Sequence, residues 1–599
     1  MKRNSLAVFV VFTDDGVIDD YVIYLAEQIR RIVKTLVITI NGEPQEAMKE
    51  KLNSCFAHVF VRENEGFDCG AYKETLENYL GWDKVREYEE VILLNDSCYG
   101  PIYPLEPIFE QMDSRRLDFW GITEQIPIKA GNYSNTLLPY HVQTYFVVIT
   151  KRMLLSRDFS NFWESVELSN GYDDTVANFE LKFTGYFNAR GYISGAYVDC
   201  SAFCKSVDET QAYVFMNSFR LISEHGCPFL KKKVFLYPHD LVLSSNMGET
   251  AYKTLEYVKE KTSYKEDLIL RHLIRKCEPK ELGISLHNNF CLSTGEQERE
   301  DILCEKVLLV IRGKEQNLNR KCRDYLRETP SFVDIRYWEQ DSNVEKYAYV
   351  CYLNIQEREE ESLTLFWENL IATPVYIKNV LNLFQKNPRV GVLAPPKPYH
   401  AQYFSERYTK NTTYPYGSMF WCRGEVFQKL IENKEWYKKD GVIQNLPMIA
   451  KKEGYMCGLV MNEEYASAYT SNYHYMLSRL VKNILMDRGI EEFKNIRKIN
   501  SQLIEFCDAY DRIYIYGAGE CGRECKFYLQ LHGIKIDGYI VSDGRRDSNI
   551  DDKMDIFELS EISKEENAGI IIAMGKASAC LIEKILCERG FTEYVRYED

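Results

Sequence analysis

Through the first hundred residues, short apolar runs alternate with amphipathic ones, and that alternation restricts the chain to a sheet built mostly of parallel strands. Leu6–Phe12 reads as a strand, Tyr21–Val33 as an amphipathic helix, and Thr35–Ile40 as a strand ending at Asn41-Gly42. Glu46–Leu52 makes a short helix, His58–Arg62 a strand, Ala71–Tyr79 a helix and Glu90–Leu94 a buried strand. Phe119–Ile122 and Thr144–Thr150 extend the pattern. A helix over Asp174–Arg190 and a strand into Val198-Asp199 then close the first α/β domain near residue 205. Sheets of this kind bind ligands just beyond the carboxyl ends of their strands, so residues at strand ends are the first candidates for a site.

With 599 residues the chain exceeds what one core supports, and several domains are expected. Residues 206–300 read as mainly helical, and a second α/β domain spans 301–475, opening on the strand Lys306–Ile311. That domain echoes the first. Leu353-Asn354 follows Leu94-Asn95, Ser418–Trp421 follows Thr144–Val147, and Gly454-Tyr455 follows Gly191-Tyr192, at offsets of roughly 260 to 270 residues, the mark of an internal duplication. Residues 476–510 read as a helical linker, and 511–599 as a small Rossmann-like unit.

A formal charge of -15 leaves no overall basic field, so nucleic acid is not an expected partner. The Lys231-Lys232-Lys233 run reads first as a solvated patch, with phosphate or lipid-headgroup contact as the alternative. The 18 cysteines are scattered, without a CxxC pair or zinc spacing, as expected of reduced thiols in a cytoplasmic protein. The apolar run near the N-terminus is followed by Thr13-Asp14-Asp15-Gly16 instead of a small-residue cleavage site, and reads as the first strand rather than a signal peptide. No stretch is apolar enough to span a bilayer, so membrane contact is expected to be peripheral.

The apolar run Val91–Leu94 stops on Asn95-Asp96-Ser97, where sugar-nucleotide transferases carry an Asp-x-Asp motif that holds Mg²⁺ or Mn²⁺ against a diphosphate. Only Asp96 is a carboxylate here. The metal is then either loosely held or dispensed with, and an ordinary Asx turn is the plain structural reading. In Asn64–Gly70, glycines bracket a carboxylate, which suits close approach of backbone to a ligand. Asn64, Gly66 and Asp68 are therefore placed with Thr13, Asn41, Asn95 and Asp96 as nucleotide-sugar contacts, Asp96 doubling as metal ligand. Glu180 is the candidate general base, with Asp173 and Asp174 as competitors that also suit a helix N-cap. His141, Gln143 and Tyr145 alternate onto one face of an expected strand and suit acceptor hydroxyls. In the last unit, Gly517-x-Gly519-x-x-Gly522 follows a strand and opens a helix. Asp543 stands about 20 residues on, the spacing of a dinucleotide fingerprint.

Asn64–Lys73, Leu94–Ser97 with Gly100-Pro101, His141–Phe146, Pro228–Lys231 and Gly417–Trp421 together resemble the rhamnan synthesis protein F family of bacterial polysaccharide glycosyltransferases. The resemblance covers about residues 1–475. It implies a GT-A-like fold and inverting transfer of a sugar, typically L-rhamnose from dTDP-L-rhamnose. The acceptor would be a lipid-linked or polymeric glycan at the cytoplasmic membrane face. One departure stands out: where the family's second half often carries His-Thr-Lys-Lys, this chain has Leu353-Asn354-Ile355-Gln356, which puts activity of that half in question. The competing readings are a glycan-assembly scaffold with decayed transferase folds and, last, an oxidoreductase centred on Gly517–Gly522.

Overall fold

A computed structural model describes residues 2–129, 137–169, 171, 175–202, 214–236, 247–296, 306–318, 320–338, 344, 346–355, 360–395, 419–433, 446–466, 501–531, 534–546, 554–563, 567–574 and 576–597. The chain divides into two compact units, Met1–Ala466 and Ser467–Asp599.

The first unit is built on two seven-stranded sheets. In the first, β1 (Arg3–Phe12) lies between β2 (Val33–Asn41) and β4 (Glu90–Asn95), and β3 (His58–Arg62) flanks β2, all parallel. A strand with sheet neighbours on both sides and helices on both faces must be apolar throughout, and Leu6–Val11 are almost wholly buried. Beyond β4 the sheet continues with Phe146–Thr150, which runs antiparallel, then Phe119–Gly121 and Ser194–Ala196. The order 3-2-1-4 reverses between β1 and β4. That reversal opens a crevice beyond their carboxyl ends.

Helix α1 (Asp20–Ile32) crosses from β1 to β2 and buries Tyr21, Val22, Leu25, Ala26, Ile29 and Ile32. This spacing puts one stripe against the sheet. Asp20 in its first turn and Arg30 and Arg31 in its last suit the helix dipole. Helix α2 (Glu46–Cys55) joins β2 to β3, and α3 (Phe67–Glu74) runs into a π-helical turn at Thr75–Leu80.

The second sheet repeats the first. Val307–Arg312 lies between Val333–Tyr337 and Tyr349–Asn354, both parallel, and Phe420–Arg423 runs antiparallel beside the latter. Val390–Ala394 and Met456–Asn462 follow. These strands take the places of β1, β2, β4 and the three strands beyond it, so six strands of the second sheet share the order of the first. β3 has no counterpart among the described strands; an added strand, Asn289–Leu292, sits at the far edge.

The segment between the sheets is helical, at Ser218–Ser223, Met247–Lys261, Glu266–Lys276 and Pro279–Ser285, but not wholly so. It also contributes Leu230–Lys231, paired antiparallel with Cys98–Tyr99, and the edge strand Asn289–Leu292. The final strand of the first domain falls at Ser194–Ala196, ahead of the expected Val198-Asp199, which follow it without strand structure. A single core cluster runs from Ala7 and Phe9 through Val258 and Leu273 to Leu309, Trp367 and Val460, joining both sheets through these helices.

The second unit holds a five-stranded parallel sheet. Arg512–Tyr516 is central, with Gly538–Val541 and Ile556–Glu558 on one side and Ala568–Ile572 and Tyr594–Arg596 on the other. Among the described residues no helix is long and apolar enough to cross a membrane.

Candidate active site

Thr13, Asn41, Arg62 and Asn95 stand at or just past the carboxyl ends of β1, β2, β3 and β4, so the parallel register gathers them at one lip of the first sheet. Thr13 is buried, and its hydroxyl donates to Val17 O (3.1 Å) within the loop that follows β1. Asn41 uses both ends of its amide inside the fold, accepting from Arg62 Nη1 (2.7 Å) and donating to Phe67 O (2.9 Å). A base contact from Asn41 would require giving one of these up.

Arg62 organises the turn after β3. Besides Asn41, it bonds Glu65 O (2.9 Å) and pairs with Glu74 (2.6 Å). Gly66 caps α3 in the left-handed region at φ 68°. Gly70 lies so near the Glu65 carbonyl that a Cβ would come within 2.1 Å of it. The turn therefore packs backbone on backbone and presents Asp68, which accepts from Cys69 N (2.9 Å) and from Asn95 Nδ2 (2.8 Å). Burial raises the Asp68 carboxyl above its usual range, the Asn95 bond opposes this, and the charge of Glu180 adds to it. Asn64 Oδ1 and the Tyr72 hydroxyl are buried without a hydrogen-bond partner. Burial, then the charges of Asp68 and Asp96, hold Tyr72 protonated well above the tyrosine range. Orphaned polar atoms of this kind are uncommon and ask for a ligand or water.

Asn95-Asp96-Ser97 does form an Asx turn, with Ser97 N donating to Asn95 Oδ1 (3.1 Å). Asp96 is partly buried at the crevice and takes Lys232 Nζ (3.2 Å) and the Tyr21 hydroxyl (3.3 Å) on Oδ2. Lys231 Nζ reaches Ser97 Oγ (3.3 Å) and lies 4.0 Å from the centre of the Tyr145 ring. The lysine run, read first as a solvated patch, thus sends two of its three members into the site. The two-residue strand Leu230–Lys231 carries them there, and it is too short to show as a sequence pattern.

For a divalent cation this donor set does not fit. Mg²⁺ in a nucleotide site is held by one or two carboxylates together with waters and substrate phosphates, and those carboxylates must be free to take it. Here Asp96 is already paired with Lys232, and Asn95 has both amide ends engaged. Among the described residues no group of three His, Cys, Asp or Glu side chains is placed to hold a metal ion.

Glu180 ends a π-helical turn, Val176–Glu180, that leads into the helix Leu181–Asn188; such turns recur at functional sites. Glu180 is partly exposed and stands 3.9 Å from His141 Nε2, while His141 Nδ1 bonds Pro139 O (2.9 Å). Asp173 and Asp174 lie outside the described residues. His141, Gln143 and Tyr145 do not share one strand face. His141-Val142 pairs with Glu124-Gln125, the chain then turns, and the next strand starts only at Phe146. Thr123 reunites two of them by donating to Gln143 Oε1 (2.7 Å) and bonding the Tyr145 hydroxyl (2.7 Å). Tyr145 is buried and serves as the platform under Lys231.

In the second sheet Asn354 ends its strand opposite Arg312, as Asn95 ends β4 opposite Val10. The next residue is Ile355, buried against Gly313, where the first sheet has Asp96. In the second unit Gly517 follows its strand at φ 112° and Gly522 abuts the Gly517 carbonyl, while Gly519 has open space around it. Asp543 is bound to Arg589 (2.6 Å) and accepts from Ser560 N (2.9 Å), so the ribose-binding acid suggested by spacing is engaged by its own chain.

Strand order and the polar lip are those of a GT-A-like α/β fold. Residues 36–321 match the family model described as Rhamnan synthesis protein F, so the resemblance read from sequence motifs holds over that stretch. Uncharacterized protein y4gN of Sinorhizobium fredii is 21% identical over 195 residues, 32% of this chain and 48% of that protein. The chain therefore spans about half the length of the curated relative it matches. Among solved structures, a putative nucleotide-diphospho-sugar transferase from Desulfovibrio desulfuricans G20 is 15% identical, covering 38% of this chain and 94% of that one, TM-score 0.20. A 4-diphosphocytidyl-2C-methyl-D-erythritol synthase is 14% identical over 33% of this chain and 91% of that one, TM-score 0.22. The mannosyltransferase Ktr4p from S. cerevisiae is 8% identical over 29% and 62%, TM-score 0.19. Family and fold together support a glycosyltransferase.

Proposed function

We propose that the protein transfers a sugar, L-rhamnose from dTDP-L-rhamnose, to a lipid-linked or polymeric glycan acceptor with inversion at the anomeric carbon. One observation carries this reading. Asp96, Asp68, Lys231, Lys232 and the Glu180–His141 pair surround the same strand ends, within residues that match the family.

Glu180 is the base. It takes the proton of the acceptor hydroxyl as that oxygen bonds to the anomeric carbon and the bond to the diphosphate breaks. His141, fixed by Pro139 O, keeps the Glu180 carboxylate in place. Asp68 and Asn64 offer hydrogen bonds to ribose or sugar hydroxyls. The second sheet, with Ile355 buried in the position of Asp96, is proposed to bind glycan without turning it over.

Labelled dTDP-rhamnose with a lipid-linked acceptor tests this. Glu180→Gln is expected to lower turnover by about 10²–10⁴-fold while leaving donor binding intact. Absence of transfer by the wild type with every nucleotide sugar, on competent acceptors, would favour the scaffold reading instead.

A further inference from the structure

We propose that the charge of the donor's diphosphate is met by the two ammonium groups of Lys231 and Lys232 in place of a divalent cation. The inference rests on the transferase reading and deepens it.

Main chain, not side-chain chance, brings these lysines to the site. Leu230–Lys231 adds to Cys98–Tyr99, Lys232 N bonds Ser97 O (3.0 Å), and Ile102 N bonds Pro228 O (2.8 Å). Gly100 lets the two segments close, since a Cβ there would meet Pro228 O at 2.5 Å. The ammonium groups consequently stand over the turn that ends β4, where a switch-point sheet places phosphates.

Their charges are incompletely matched. Lys232 pairs with Asp96 and donates to the Tyr21 hydroxyl oxygen (2.9 Å). Among the described residues no carboxylate pairs with Lys231, which rests on Ser97 Oγ and the Tyr145 face. Lys231 therefore stands without an ion-pair partner beside the Lys232–Asp96 pair, its charge reaching Asp68 only at longer range. Lysine meets phosphate as a mobile point charge, and bonds between ionised partners are the strong ones. As the anomeric carbon–oxygen bond breaks, its electron pair passes to the diphosphate, and the lysines hold that added charge. The acceptor proton goes to Glu180, so atoms and charge balance. A cation at Asp96 would first have to displace Lys232, and this opposition accounts for the single carboxylate in Asn95-Asp96-Ser97.

Calorimetric titration of the full chain with dTDP, in EDTA and in Mg²⁺, tests the proposal. Wild type is expected to bind dTDP in EDTA, with little change on adding Mg²⁺ and with weakening as salt rises. Lys231→Met and Lys232→Met should each weaken binding about tenfold or more. Lys231→Arg and Lys232→Arg should restore most of it, and Lys233→Met, an exposed position, should bind as wild type does. Because Lys232→Met strands Asp96, the Asp96→Asn/Lys232→Met double variant provides a neutral pair that folds, and it too should bind weakly. Mg²⁺-dependent binding by wild type, or undiminished binding by the methionine variants, overturns the lysine proposal and leaves the transferase reading standing. No binding of any nucleoside diphosphate to wild type overturns both.

Discussion

His272 shows how one side chain of the interdomain helix bears on the site without touching substrate. It is buried, bonds the Tyr99 hydroxyl through Nδ1 (2.6 Å) and faces Asp19 (3.9 Å) through Nε2. Burial lowers its pKa from 6.5 to about 4, against the charge of Asp19 and with help from Lys232 and Arg275. The folded state therefore keeps the ring neutral while the unfolded chain protonates it. Its contribution is complete above the unfolded value and is lost as pH falls toward the folded one. Urea unfolding should find the first unit about 2 kcal/mol less stable at pH 5 than at pH 7 on this account. Replacing His272 by Gln should lower stability at pH 7 and flatten that slope; an equally steep slope in the variant would refute the assignment. None of this was legible from a lone histidine in a helical stretch. Asp96, by contrast, was legible because an apolar strand ended on it, although its pairing with Lys232 was not.

The turn between β3 and α3 shows why glycines sit where they do. Gly70 accepts the Glu65 carbonyl against its α-carbon, and this contact sets where Asp68 points. Gly70→Ala must push the turn away, at a cost of about 1–3 kcal/mol. The expected outcome is a lower melting temperature together with weaker dTDP binding, since Asp68 moves with the turn; an alanine variant that melts and binds like wild type would show the contact to be slack. The helix Glu266–Lys276 acts as a strut. Arg275 pairs with Asp15 and Asp19, Lys276 with Asp14, and on the other side Asp267 takes Arg389 of the second sheet's domain (2.9 Å). Periodicity located helices in this region but not their partners, and it missed both strands there. A strand of two residues carries no alternation to read. The π-helical turns at Thr75–Leu80 and Val176–Glu180 escaped for a similar reason, because a single wider turn is too short to establish a period of its own.

Across Met1–Ala466 the two sheets share one apolar core, so neither is expected to stand alone. A fragment ending at residue 300 would expose Leu273, Leu282, Leu286 and Leu292, all buried in that cluster, and is expected to aggregate. A fragment of residues 1–466 keeps the cluster whole and should fold with a single cooperative transition and full dTDP affinity. Circular dichroism melts and calorimetry on both fragments check this; a folded, dTDP-binding 1–300 fragment would contradict the shared core. Six strands of the two sheets share one order, and the sheets differ at the lip, Asp96 in one and Ile355 in the other.

Local chemistry was enough to read the alternating α/β architecture, the repeat of the sheet and the strand-end candidates, because strand burial and helix amphipathicity are written in nearest-neighbour patterns. The same patterns singled out Asp68, Asp96 and Glu180 as candidates. What surrounds them came from contacts between distant segments: Lys231 and Lys232 reach Asn95-Asp96-Ser97 across more than a hundred residues. Thr123 joins Gln143 to Tyr145, and Arg62 fixes the Asn64–Gly70 turn. Charge at a site depends on which groups meet in space, and no spacing along the chain encodes a meeting made by backbone pairing of remote strands.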